Sequence, residues 1–278
     1  MVKDIREGPA DQYWDRLRTM MGSEGLITYW YLGRAFNQLE DPDTMRLRAD
    51  MRNEQGGVMA APLAIAAPET GGWRDRSVVP APVAYSLHIL DSAADIEVIR
   101  VERTTVRQGR KMGFSRSEVT DASNPQRVVA ITTGIGVTIG AAPPGFRPVD
   151  LPPEMPPDVD LPPLHTIFGA TRDPEGWRLP RLDSKQASTS ASLHIGPIHV
   201  AFEAAAMEVA GIEVGSNRLQ VEDWDVHFVA PGSVGPFLVS AEARSGVEGR
   251  VAVRLSLVDE GQDGAMIASG AATFRTWL

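Results

Sequence analysis

The feature that most limits what this chain can fold into is a stretch that occurs twice. Leu193-His194-Ile195-Gly196-Pro197-Ile198-His199-Val200-Ala201-Phe202-Glu203-Ala204-Ala205-Ala206 reads as a strand end, a Gly-Pro break and then an apolar helix. Phe202, Ala205, Ala206 and Val209 give that helix a buried face, with Glu203 at its edge. A carboxylate two turns into an apolar helix is expensive unless it is paired or used. A weaker copy runs from Asn53-Glu54-Gln55-Gly56-Gly57 through Ala60-Ala61-Pro62-Leu63-Ala64. Aligning Gly57 with Gly196, 139 residues apart, sets Ala64 against Glu203. The same offset brings Ser86-Leu87-His88-Ile89-Leu90 onto Asp225-Val226-His227-Phe228-Val229. Gly109-Arg110 then meets Gly249-Arg250 at 140, each opening a strand that ends in Asp, at Asp121 and Asp259. Two similar halves, each the size of a small domain, are therefore expected.

The 278 residues suffice for two such halves with ample cores. The absence of cysteine excludes disulfides, thiolate metal sites and a cysteine nucleophile, and fits a cytoplasmic protein. A net charge of −9 argues against a nucleic-acid-binding surface but leaves room for a small anionic ligand on a local basic patch. The opening Met1-Val2-Lys3-Asp4 resembles no secretory segment, and no apolar run is read as a membrane span.

Along the chain, residues 10–40 read as helical, broken at Gly22-Ser23-Glu24-Gly25. Met45 to Met51 alternate apolar with charged and predict a half-buried strand. Gln55-Gly56-Gly57 launches the first central helix, which should be over by Pro68. Strands follow at Val83–Leu90, Ala94–Thr105, Arg110–Thr120 and Arg127–Ile139. Prolines crowd Ala141–Pro163, an extended linker. The second half repeats the order: a strand at Ser184–Leu193, a helix from Pro197 to about Gly211, then strands at Asn217–Val229, Val239–Ala243, Arg250–Val258 and Ala265–Trp277. The division is 1–142, with an extra helical segment at its start, a linker over 143–180, and 181–278. One helix followed by a meander of strands is an α+β arrangement with an antiparallel sheet.

This pattern resembles the hotdog fold, a central helix wrapped by an antiparallel sheet, here in tandem as a double hotdog. It is similar more narrowly to the acyl-CoA thioesterases of the phenylacetate-pathway type. Their pattern is a strand, an Asn or Gln, a His-Gly-Gly turn, and an acid seven residues past the second Gly. The first half keeps Asn53, Gln55, Gly56 and Gly57 but has Ala64 in place of the acid. The second keeps His194, Gly196 and Glu203, but Ile195 replaces the first Gly and Pro197 follows the second. The Arg107-Gln108-Gly109-Arg110 strand opening and the Ala-rich strand from Ile267 to Phe274 are also similar. The resemblance implies hydrolysis of an acyl thioester with no cofactor, coenzyme A being part of the substrate. It implies no nucleic-acid or membrane partner, and any larger assembly would be a homo-oligomer of the pseudo-dimeric chain.

Seven residues is nearly two helical turns, so Glu203 stands about 10 Å along its own helix from Gly196. An antiparallel neighbour would bring the other helix start beside it. Gly56 and Gly57 would then offer backbone N–H groups to a thioester oxygen, with Asn53 and Gln55 supporting the turn. Glu203 would attack the carbonyl or activate water. The reciprocal site pairs Gly196 with Ala64 and loses one donor to Pro197, so one competent and one silent site are expected. Glu203 as a structural ion-pair member is the competing reading. Arg107, Arg110, Lys111 and Arg116 are candidates for coenzyme A phosphates, against a solvated strand edge. Pro197-Ile198-His199 resembles the hydratase branch of hotdogs, which has Asp where His194 stands here. His194 and His199 are thus substrate-binding candidates. His88 and His227 read as a repeated sheet position, Asp223 and Asp225 suggest no metal, and Gly134, Gly136 and Gly140 read as β-structure. A non-catalytic double hotdog that binds acyl groups is the remaining alternative.

Overall fold

The computed structural model describes residues 2–22, 25–32, 43–71, 73–146 and 161–277. Period-two alternation builds one antiparallel sheet of eleven strands. The first half supplies β1 (Asp43–Arg46), β2 (Val78–Ile89), β3 (Val98–Gln108), β4 (Met112–Asp121) and β5 (Val128–Ala141). The second supplies β6 (Thr171–Asp173), β7 (Gly176–Leu179), β8 (Leu219–Phe228), β9 (Phe237–Ser245), β10 (Arg250–Asp259) and β11 (Ala265–Thr276). Their order, β1-β3-β4-β5-β2-β8-β11-β10-β9-β7-β6, places the two halves back to back on either side of the β2–β8 seam. At that seam Ser86 pairs with Asp225, its own equivalent under the 139-residue offset, as a pseudo-twofold axis through the seam requires. His88 pairs with Asp223 and bonds it at 2.7 Å, while His227 pairs with Ala84.

The repeated terminal aspartates are turn anchors. Asp121 accepts from the N–H of Ser123, and buried Asp259 accepts from Ser233, Val234, Gly235 and Gly261. Among the described residues five α-helices complete the fold: α1 (Tyr13–Met21), α2 (Ile27–Tyr31), α3 (Ala60–Ala66), α4 (Leu164–Ile167) and α5 (Ile195–Val214). By length and composition α5 is apolar enough to cross a membrane, which the sequence reading passed over. Here it is the central helix of the second half, and most of it is buried against β7, β9 and β10. Phe202 lies under Gly270 of β11, where a Cβ would stand 3.2 Å from the ring. The shorter α3 is wholly buried and tolerates Pro62 because its first turn needs no intrahelical donor. These two helices in the concave faces of a continuous sheet make the chain a double hotdog.

Three expectations need correction. The strand predicted for Met45–Met51 stops at Arg46, and Ala49–Met51 form a 3-10 turn. Buried Arg48 bonds Asp50 two residues on, at 3.0 Å, which curls the chain. Ser184–Leu193 is a series of turns with one bridge, Ala187 to Leu193. Asp183 Oδ1 takes the amides of Lys185 and Gln186, and Ser188, Ser190 and Ser192 bond one another, in competition with a ladder. The linker predicted for 143–180 is folded from α4 onward, where β6 and β7 extend the second half's sheet and β7 pairs with β9. Residues 147–160, the centre of the Pro-rich stretch, and 33–40, the end of the predicted N-terminal helical segment, lie outside the described residues.

Candidate active site

The two central helices run antiparallel: the start of α3 meets the middle of α5, and its end shares a cavity wall with the start of α5. Alanines on both helices let the backbones approach closely. The side chain of Glu203 spans the gap, its Oε1 accepting from the N–H of Ala60 at 2.6 Å and its Oε2 from that of Ala61 at 2.8 Å. A carboxylate of the second half thus holds the first amides of the first half's helix, whose own N-cap, Met59, has no side-chain acceptor. Two such short bonds suit an ionised group. Burial opposes the charge, Glu203 being 1% exposed, and pushes its pKa up to about 7 even though both amides pull it down.

The amides expected to serve as donors, those of Gly56 and Gly57, are already committed. Gly56 N–H donates to the Asn53 carbonyl and Gly57 N–H to Asn53 Oδ1, both at 2.9 Å. Asn53 also takes the Gln55 amide, so its side chain shapes the whole turn. Its Nδ2 reaches across to the other half, donating to the Leu219 carbonyl and to Gln220 Oε1. Gln220 answers by donating to the Val58 carbonyl at 3.1 Å. A Cβ at Gly57 would stand 2.0 Å from Gln220 Oε1, so any side chain there has to displace the Gln220 amide. The amides of Gly56 and Gly57 are thus spent inside the turn that leads into α3, and the amides that Glu203 takes lie three and four residues beyond Gly57. The amide of Gln55 is held by Asn53, and its side-chain oxygen is buried without a hydrogen-bond partner.

His194 caps α5. Its Nδ1 accepts from Gly196 N–H at 3.3 Å and meets Thr28 Oγ1 at 3.1 Å, so the ring is neutral. His199 is fully buried, its Nδ1 accepting from Trp224 Nε1 at 3.1 Å, with Tyr85 and Phe228 edge-on to the ring. Burial depresses both imidazoles to about 3. Arg107, Arg110 and Lys111 are exposed where β3 turns into β4.

A cavity of about 700 Å³ lies at the other end of the helix pair, where α3 ends and α5 begins. Neither Glu203 nor the Gly56-Gly57 turn is in its wall. Trp14, Leu17 and Met21 of α1 line it, together with Ile65, Ile198 and Phe228. So does Glu69, three residues past the end of α3. Glu69 is 4% exposed, its Oε2 has no hydrogen-bond partner, and burial pushes it up to about 7. The signal for it was indirect. Gly134 and Gly136 stand on one face of β5, and a Cβ at Gly134 would fall 2.4 Å from the Glu69 backbone. The open space thus lies beside the start of α5 and not at the Glu203 junction.

No family model matches the sequence, and no curated protein matches it. Solved structures do. A tesB protein from Mycobacterium avium subspecies paratuberculosis superposes with a TM-score of 0.61 at 13% identity, over 91% of this chain and 100% of that one. The acyl-CoA thioesterase II TesB2 from Mycobacterium marinum gives 0.56 at 16%, over 88% and 96%. A hot dog fold protein from Alicyclobacillus acidocaldarius gives 0.57 at 13%, over 89% and 97%. At these identities the likeness is one of fold: the chain is a double hotdog that resembles acyl-CoA thioesterases of the TesB type in architecture.

Proposed function

We propose that the chain hydrolyses acyl thioesters, acyl-CoA among them, where Glu203 meets the amides of Ala60 and Ala61. The observation that carries this reading is the composite junction itself: one carboxylate, one pair of backbone donors, each from a different half. A group titrating near 7 can both take and return a proton at neutral pH. Glu203 gives up one amide to the thioester carbonyl oxygen and takes a proton from water as the water oxygen attacks the carbonyl carbon. The amide N–H holds the oxyanion that forms. The C–S bond then breaks and the departing sulfur takes the proton from Glu203, leaving the free acid and the thiol. Asn53, Gln55, Gly56 and Gly57 hold the donor helix in place, with Gln220 tying their turn to β8. The basic turn of Arg107, Arg110 and Lys111 is the candidate contact for the phosphates of coenzyme A.

One observation favours a second reading, a non-catalytic acyl-binding protein: in this closed arrangement both Glu203 oxygens are already bonded and the side chain is buried. Glu203→Gln separates the two. Hydrolysis of an acyl-CoA panel, followed with a thiol reagent, should fall by about two decades or more while the folded fraction is unchanged. Turnover retained in a protein with a lowered melting temperature makes Glu203 a structural cap. Loss of enoyl-CoA absorbance without thiol release would point instead to a hydratase at His199.

A further inference from the structure

The cavity at the start of α5 has the walls of an acyl site but not the chemistry of a hydrolytic one. Pro197 supplies no amide, and Gly196 N–H is already bonded to His194 Nδ1, so these two positions of the first turn offer no oxyanion donor. Its apolar lining, from Trp14 and Leu17 of α1 to Ile198 of α5 and Phe228 of β8, suits an aliphatic chain, and its volume of about 700 Å³ is that of a ligand pocket. Two buried polar groups in this wall lack hydrogen-bond partners, the donor Trp73 Nε1 and the acceptor Glu69 Oε2. Glu69 sits beyond the end of α3, its backbone fixed by Ser115 Oγ–H on its carbonyl and by the close pass over Gly134. Its Oε2 is left without a partner, and no neighbouring cation contributes to its ionisation. Leaving a buried acceptor unmade costs as much as the bond would give. The unmet need is for a hydrogen-bond donor carried by whatever fills the cavity.

We infer that this cavity binds an aliphatic acyl chain bearing a hydroxyl group, and that the hydroxyl donates to Glu69. The choice of an acyl ligand rests on the thioester reading above, but binding here requires no hydrolysis. Arg76, also in the wall, places positive charge for the carboxylate end of a free acid. Glu69 is then a specificity-determining residue, selecting hydroxylated over plain chains.

Binding of dodecanoate, 3-hydroxydodecanoate and 12-hydroxydodecanoate is measured on the full chain through tryptophan fluorescence, since Trp14 and Trp73 both line the cavity. At least one hydroxylated acid should bind about tenfold more tightly than dodecanoate, the worth of one buried hydrogen bond. That preference should vanish in Glu69→Leu. In Glu69→Gln, which keeps an acceptor but no charge, it should shrink at pH 8 and persist at pH 5. Equal binding of plain and hydroxylated acids would mean that water satisfies Glu69, and it overturns the inference. So does a preference that survives in Glu69→Leu or is unchanged in Glu69→Gln at pH 8, and so does failure of all three acids to bind. Should Glu69→Leu not fold, the wild-type comparison and Glu69→Gln decide between these outcomes. Thioester hydrolysis lost or kept at Glu203 leaves each of these results as it stands, so the two readings fail separately.

Discussion

Glu69→Gln should make this protein more stable at pH 8 and leave it nearly unchanged at pH 5. Two carboxyl groups and two imidazoles, all fully buried, dominate the pH dependence between about pH 4 and 8. Glu69 and Glu203 are raised from 4.5 to about 7, and His194 and His199 are lowered from 6.5 to about 3, all by burial. Between pH 4.5 and 7 the folded chain keeps two carboxyl protons that the unfolded chain releases. Each carboxyl group's share of stability is therefore complete below 4.5 and lost as pH rises to 7. The imidazoles act in the other direction, their share being complete above 6.5 and lost as pH falls toward 3. Stability should peak between these arms, at about pH 5.5, where the two proton imbalances cancel. A carboxyl shift from 4.5 to about 7 corresponds to about 3 kcal/mol per group, an upper figure once some water reaches the site. Glu69→Gln deletes one such loss. With about 2–4 °C per kcal/mol for a chain of this size, its melting temperature at pH 8 should exceed wild type by on the order of 5 °C. The assay is a set of thermal melts from pH 4 to 9 without ligand. A wild-type curve that rises steadily from pH 5 to 8, or a Glu69→Gln protein less stable than wild type at pH 8, would refute the reasoning.

Gly57→Ala should destabilise by about 1–3 kcal/mol in a denaturant melt, because the new Cβ would displace Gln220 Oε1 and undo its bonds to Asn53 and Val58. Replacing Arg107, Arg110 and Lys111 together by Ala should raise KM for an acyl-CoA and flatten its salt dependence, with no change in Tm. An unchanged KM returns these residues to a solvated edge. Ala64→Glu should give no gain in thioester turnover and should lower Tm, since Ala64 is fully buried and a carboxylate there finds no donor from Pro197.

Much of this architecture could be read from residue order because period two and the 139-residue offset state the same thing. The offset makes Ser86 and Asp225 equivalents, and their pairing across the seam is what the structure adds. Glu203 was legible for a different reason: one acid in an otherwise apolar helix has to answer to something across the interface. Its partners were not. Asn53 spends its own side chain on Gly57 N–H, and that moves the free amides to Ala60 and Ala61. The spacing of a motif cannot show which amides a neighbouring side chain has taken. Glu69 was hidden in Pro68-Glu69-Thr70-Gly71-Gly72, a composition that reads as a solvated turn, and only the glycine faces of β5 betray what packs there. The β6–β7 hairpin carried its own signal in Asp173-Pro174-Glu175-Gly176 between apolar residues, masked by the prolines before it.

The cavity follows from an inequality between the two halves. α5 runs for 20 residues and closes on Gly215 in the left-handed conformation, whereas α3 has 7 and stops two residues before Pro68. Proline cannot donate the amide that would continue the helix, and the residue before it is driven out of helical space. Arg103, paired with Asp43, instead donates to the Ala66 carbonyl at 2.5 Å, which helps satisfy the truncated end without more helix. At about 1.5 Å per residue, the missing turns leave nearly 20 Å of the first half's sheet without the cover that α5 gives the second. The loop bearing Glu69 and Trp73 fills part of this gap, and α1 roofs it with Trp14, Leu17 and Met21. What remains is open space beside the start of α5, in the half that lacks a helical acid. Glu203, in the middle of α5, lies away from this space and is sealed against the amides that open α3. A variant chain that lengthened α3, with Pro68→Ala and Glu69 kept, would trade the cavity for helix, and binding in the cavity should fall before the Glu203 contact is touched.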